Sequence, residues 1–444
     1  MSDITSIALS GLNAYSKAMT TIADNVANAN TPGYVTQNTQ ISEMPGSTAS
    51  PLYDQTANPS GALVTGVTRS ISSWLQDSAR NAASDNGSAS ALSTWMQTSE
   101  AQLGTSASNI AANLTSFFNA ADQLSSSPSD TALRQSFLAA TSAVATSFNS
   151  TAQALSQTST NLSAAAQGSV STLNTDLSTL ASVNQGLLRA QPNTAGANQL
   201  LNQRDAALQD LSSQIGITVQ YGAAGDVSVS TAGSPSASLL SGSTLNPVAL
   251  TTSASGTLSF SVGGTSIDPG SGALAGLKSA ALDLSVRRAM LDQVATQFGS
   301  AVNALQVSGT DANGNAGTPL YDVSGGTAAK ISALPVTTAQ VAAAGSGVAN
   351  GTMLAYAGLR GANGAESGWA SIVSSQSQAT ASANAQASAA ASVFDSAQQA
   401  VSGSASVNLN QQAGQLLQYQ QAYQASAKVL QVAHDIFQSL YNIQ

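Results

Sequence analysis

The chain has 444 residues, enough for roughly two to four domains, yet only 7% of them are charged, against about 25% in ordinary soluble proteins. Its net charge is −9, and the twelve basic residues are scattered singly apart from Arg287-Arg288, which excludes a phosphate-binding surface and with it nucleic acid as a partner. Cysteine is absent, so disulfides, thiolate metal sites and thiol nucleophiles are excluded too.

At the N-terminus Asp3 precedes the first lysine, Lys17, so no Sec-type signal is expected. Leu12, Tyr15, Met19, Ile22 and Val26 follow i, i+3, i+4 spacing and predict an amphipathic helix. Asn28, Asn30, Pro32 and Gly33 should end it. Residues 45–70, with Pro45, Pro51, Pro59 and three glycines, read as an extended connector. Met96, Leu103, Ile110, Phe117 and Leu124 recur every seven residues, a run that predicts helix-on-helix packing. Ser127-Pro128 reads as the cap of the next helix. Its stripe, from Leu133 and Phe137 through Leu155 and Leu173 to Leu187, continues to about Pro192. Sixty residues of helix would reach on the order of 90 Å, which suits a rod better than a globule.

The period then changes. Residues 217–221 and 227–230 alternate around Gly222 and Gly225-Asp226, which predicts a hairpin, and 258–262 alternate in the same way. Residues 216–272 therefore read as a small β-rich insertion. Helix is expected again over 273–306, a Gly-rich irregular stretch over 307–368, and an Ala/Ser/Gln-rich helix over about 370–402. In the tail, Leu409, Leu416, Tyr423, Leu430 and Phe437 are spaced by seven, with Leu440 alongside. Each end is thus an amphipathic helix, packing on the other or on neighbours. The charge-free run 341–359 is broken by glycines and does not suit a membrane span.

Chemistry is sparse. The single histidine, His434, lies inside the tail heptads, and Asp435 beside it points about 100° away on a helix, so no Ser-His-Asp triad is expected. The segment 311–315 places oxygen ligands as a calcium loop does, but its glycine is at position 4 rather than 6. A tight turn accounts for the same residues. No catalytic residue, cofactor or metal is expected.

Two motifs at opposite ends carry a resemblance. Residues 8–14 (ALSGLNA) followed by 25–34 (NVANANTPGY), with Asn25, Asn28, Asn30, Thr31, Gly33 and Tyr34, resemble the N-terminal signature of flagellar rod, hook and hook-associated proteins. Residues 407–409 and 419–429 resemble their C-terminal signature. The interior segments 113–148, 201–205 and 309–321 resemble the first hook-associated proteins rather than hook protein, whose interior is mainly β. The resemblance implies a mainly α fold with a β-rich insertion: terminal helices paired as a coiled coil along an axial channel, a long-helix bundle domain and a small outer β domain. The implied division is 1–35 with 405–444, then 36–215 with 273–306 and 369–404, then 216–272 with 307–368. The stripe residues Leu12 to Val26 and Leu409 to Leu440 would form the assembly interface. Implied partners are further copies of the chain, hook protein, other hook-associated proteins and an export chaperone on the C-terminal helix, at an extracellular site reached without a cleaved signal. Larger relatives carry a further outer domain after the segment matching 309–321, which this sequence lacks. A trimeric coiled-coil adhesin or phage tail fibre would share the composition but should carry repeats or an anchor. An extracellular hydrolase would need convergent carboxylates.

Overall fold

The computed structural model describes residues 2–31, 33–44, 61–104 and 109–442; Pro32 and the prolines of 45–60 lie outside them. The fold is mostly helical, with short antiparallel strands. Helix α1 (Ser2–Ala27) is followed by strands β1 (Gln37–Glu43) and β2 (Ala62–Arg69). These pair antiparallel from Gln37 opposite Arg69 to Glu43 opposite Ala62, with an irregularity after Gln40. Within the expected connector 45–70, residues 62–69 are therefore a strand paired with the segment before it, and residues 45–60 lie outside the described ones. The two strands alternate poorly and are half-exposed on both faces, so no period announced them.

The body is built on α2 (Ser73–Gly104), α3 (Ile110–Ser126), α4 (Thr131–Arg189) and α5 (Ala195–Gln214), then α6 (Ala273–Ser308), the short α7 (Gly351–Ala355) and α8 (Ala365–Ala405). The 59 residues of α4 span about 88 Å at 1.5 Å each. The seven-residue run from Met96 to Leu124 does not belong to one helix. Asn109 caps a separate α3 by accepting from the Ala112 amide at 3.2 Å. The expected cap at Ser127-Pro128 is likewise displaced: Asp130 caps α4, accepting from Ala132 and Leu133 at 2.7 and 3.1 Å. An ionised side chain at the positive end of the helix caps better than a neutral serine.

Two hydrophobic cores fill the body. The first is aromatic, with Phe117 at its centre, 5.1 Å from Phe137, 5.3 Å from Phe298 and 5.6 Å from Tyr356 between ring centroids. The second is aliphatic and joins Leu162 to Leu180 of α4 and Leu208 and Leu211 of α5 to the β-rich insertion. That insertion holds a four-stranded sheet in the order β3-β4-β5-β6 (Ile217–Tyr221, Val227–Thr231, Ser238–Ser241, Thr244–Leu245) and a three-stranded one, β7-β8-β9 (Val248–Thr252, Leu258–Val262, Thr265–Ile267). The predicted hairpin is β3 with β4. Val227 and Val229, and Leu258, Phe260 and Val262, point into the core at every second position. Gly263 and Gly264, both at positive φ with open space around them, turn β8 into β9. Residues 307–368 do not join this insertion as expected. Leu320, Tyr321, Ile331, Val341, Met353 and Tyr356 pack in the aromatic core instead, together with the two-residue strands β10 (Tyr321–Asp322) and β11 (Ser332–Ala333).

Gly276 shows how closely the bundle is drawn together, because a Cβ added there would lie 2.2 Å from the Ser88 carbonyl oxygen of α2. Backbone cannot give way as a side chain can. Gly276→Ala should destabilise the body by about 2 kcal/mol, the range of overpacking changes, despite alanine's better helix propensity. A urea midpoint equal to wild type would refute this.

Candidate assembly interface

The last helix, α9 (Leu409–Tyr441), runs antiparallel to α1. Asn25 meets Gln412 near one end, the rings of Tyr15 and Tyr419 stand 6.1 Å apart in the middle, and Ile4 shares a groove with Ala433 and Phe437 at the other. The start of α1 and the end of α9 thus meet at one tip.

The signature residues build the joint between this pair and the body. Asn25 is buried and uses all its hydrogen-bonding capacity. Its Nδ2 donates to the Gln37 carbonyl at 2.8 Å and to Gln412 Oε1 at 3.0 Å, and its Oδ1 accepts from the Gln37 amide and the Tyr34 hydroxyl, both at 2.9 Å. One side chain thereby ties α1, β1, the signature turn and α9. Burial, and then the charge of Asp24, raise the Tyr34 phenol above its ordinary value, which keeps it a neutral donor. Asn28 Nδ2 donates to the Asp24 carbonyl, Thr31 Oγ1 donates to Asn28 Oδ1, and Gly33 takes φ +75° to reverse the chain. Asn30 is exposed on this turn. Thr36 then donates through both its amide and its hydroxyl to the Ala405 carbonyl, each at 2.9 Å, fixing the passage from α8 to α9. Replacing Asn25 by alanine leaves Gln412 and the Gln37 amide without partners, at about 1–3 kcal/mol for each buried orphan. Limited proteolysis should then cut α1 and α9 at least tenfold faster; an unchanged cleavage rate would show that the network is dispensable.

The stripe residues are divided between two environments. Ile22 is buried, and Leu12, Tyr15, Met19, Leu416 and Leu430 are half-buried. Val26, Leu409, Tyr423 and Phe437 are exposed, Phe437 at 61%, and the Leu440 side chain lies outside the described residues. Beside Ile22 and Asn25, the fully covered residues of α1 include the small Ala8, Ala14 and Ala18. On the side of α1 that meets the β1–β2 hairpin, Ser10 Oγ accepts from the Ala62 amide at 3.1 Å and Thr39 Oγ1 donates to Thr21 Oγ1 at 2.8 Å.

A second apolar stripe, not singled out from the sequence, follows α9 on its open side. Val429, Val432 and Ile436 are 46%, 55% and 45% exposed. At about 100° per residue they sit roughly a quarter to a third of a turn away from the line through Tyr419 and Ser426 that faces α1. Beside them Ile4, Leu430, Ala433, Ile436 and Phe437 line an open groove of about 710 Å³. Uncovered apolar side chain on this scale marks a surface suited to docking on protein, membrane or ligand.

The joint is locked to the body by charge. Asp205 of α5 accepts from Arg69 of β2 at 2.6 Å and from Arg204 Nε at 2.9 Å. Arg204 also donates to the Gly225 carbonyl at 2.6 Å and lies 5.0 Å from the centre of the Tyr221 ring. Burial alone would raise the Asp205 carboxyl, but the Arg204 and Arg69 guanidiniums, with hydrogen bonds from Gln76 and Arg69, hold it below the usual carboxylate range. Elsewhere, Asp311 Oδ1 accepts from the amides of Asn313 and Asn315, both at 2.8 Å, so the calcium-like segment is a self-capped turn. No group of metal-capable side chains occurs among the described residues, and none of their helices is long and apolar enough to cross a membrane.

Residues 96–321 match the family profile of the flagellar hook-associated protein FlgK helical domain. The chain belongs to the FlgK family. Residues 6–34 match the flagella basal body rod protein profile, and residues 397–443 the flagellar basal body rod FlgEFG protein C-terminal profile. These are the two helices and the joint described above. Flagellar hook-associated protein 1 of Salmonella typhimurium is 26% identical over 336 residues, covering 73% of this chain and 60% of the relative. That of Escherichia coli is 27% identical over the same coverage. That of Bacillus subtilis is 28% identical over 218 residues, covering 48% and 43%. The chain therefore matches less than two thirds of the length of these relatives. The flagellar hook junction protein FlgK of Burkholderia pseudomallei aligns with a TM-score of 0.48 and 26% identity over 55% of this chain and 46% of that one.

Proposed function

We propose that this FlgK-family chain is a structural subunit of the bacterial flagellum, seated at the junction of hook and filament and needed for filament assembly. The observation that carries the proposal is the helix pair α1–α9: its outer face is apolar and uncovered, and its two halves match flagellar axial families. Buried against further copies, that face would gain about 25 cal/mol for each Å² of apolar surface. The few charges of the chain spare such packing the cost of desolvating ions.

In this reading α1 and α9 form a coiled coil along the axial channel, with the assembly interface made by Leu12, Tyr15, Met19, Ile22 and Val26 on one helix and Leu409 to Leu440 on the other. Hook protein, other hook-associated proteins and copies of the chain are its neighbours. The chain travels unfolded through the flagellar export apparatus, α9 is held by a dedicated chaperone beforehand, and the protein has no catalytic role. The helical body surrounds the axis and the β3–β9 insertion faces outward. Deleting the gene should leave hooks without filaments, and its return in trans should restore swimming. Filaments of normal length in the deletion strain would overturn the proposal.

A further inference from the structure

Four helices of the body pass from one core to the other, and three of them, α2, α4 and α8, change over at buried polar side chains, while α6 brings Arg287 to the same level from one turn beyond its crossing. Helix α2 leaves the aliphatic core at Met96 and enters the aromatic one at Leu103. Helix α4 crosses between Leu155 and Leu162, α6 between Ala281 and Leu284, and α8 between Ile372 and Ala383. At those crossings the chain buries Ser99, Thr158, Ser159, Gln376 and Thr380, with Arg287 one turn further along α6. Gln376 is the hub: its Nε2 donates to the Met96 carbonyl at 3.1 Å, and its Oε1 accepts from Arg287 Nε at 3.2 Å. Arg287 is paired with Asp283 at 3.0 Å, and the other Asp283 oxygen has no partner.

Side chains at this level satisfy one another laterally, but they give little of the apolar contact that would make the two cores melt as one. We propose that this polar layer is a breakpoint, so that the body opens in two cooperative units and the two halves of the single helix α4 belong to different ones. Helical hydrogen bonding runs unbroken through α4, yet a helix draws most of its stability from the face it buries. Over 137–155 that face lies in the aromatic core and over 162–181 in the aliphatic one. The inference rests on this packing alone and stands or falls apart from the flagellar assignment.

Hydrogen exchange on the full-length protein at rising, sub-denaturing urea tests it. Peptides from 137–155 and from 162–181 should differ at least tenfold in protection and respond to urea with different slopes. One common isotherm along the whole of α4 would overturn the proposal. In the double variant Arg287→Met with Gln376→Leu, the hub of the layer becomes apolar at similar volume, and the two isotherms should draw together. If they stay apart in a folded double variant, the polar layer is not what divides the body, and the proposal fails. Should that variant not fold, the comparison within native α4 still decides.

Discussion

Replacing Val429 and Val432 together by aspartate should leave a folded monomer that no longer supports filament growth. Both side chains are about half-exposed on the free chain, so the substitutions remove little of the fold's own packing, and the helical content and melting curve should stay close to wild type. Burying a valine is worth about 1.5–3 kcal/mol, and each aspartate forced into an apolar interface adds a desolvation penalty of several kcal/mol. Repeated in every subunit, that loss should exceed what assembly can tolerate. Cells carrying only this variant should swim no further than the deletion strain in soft agar while releasing filament subunits into the medium. Because α9 is also the proposed chaperone site, the variant must first be detected outside the cell. Export with normal swimming would show that this face of α9 is not an assembly interface.

The second large effect is expected at Asp205. Asp205→Asn removes the charge shared by Arg69 and Arg204 and leaves two guanidiniums that are nearly buried without a counter-ion. Breaking such a pair from one side costs about 3–5 kcal/mol, to be read from the urea midpoint reported by Trp95, which packs on the adjoining core. The pH dependence has a definite sign. The folded carboxyl lies below its ordinary value, so its stabilisation is fully present above the unfolded value of about 3.9. It is lost as pH falls through the folded value beneath that. Wild type should therefore lose stability on acidification more steeply than Asp205→Asn. Parallel acid titrations, with equal midpoints at pH 7, would show that the triad does not hold the joint.

The long elements were legible because one period governs them from end to end. Leucines from Leu155 to Leu187 keep a single face of α4 buried, and Val227 and Val229 alternate beside turn-forming glycine in β3–β4. The interface was harder to read. Positions spaced by seven drift about 20° per step on a straight helix, so Leu409 and Leu430 do not share a line against α1, and Phe437 stays exposed near the tip. Val429, Val432 and Ile436 stand outside any seven-residue series that includes the leucines. Asn25 was legible as part of a motif but not as a core residue, because hydrophobic periodicity is blind to a buried amide. The boundary between α2 and α3 was hidden for another reason: Leu103 near the end of one helix and Ile110 at the start of the next are seven residues apart and pack in the same core, so the period runs across the break.

Because α1 and α9 are antiparallel, the start of α1 and the end of α9 come to the same tip, next to the groove lined by Ile4 and Phe437. A fluorescent or affinity tag fused to either end would therefore place its bulk at the surface proposed to pack against other copies, and moving it from one terminus to the other would change little. The Gly263-Gly264 turn offers the alternative. It is exposed, faces open space and closes a hairpin of the β-rich insertion rather than of the helix pair. A short epitope carried there should mark the assembled subunit without disturbing the tip.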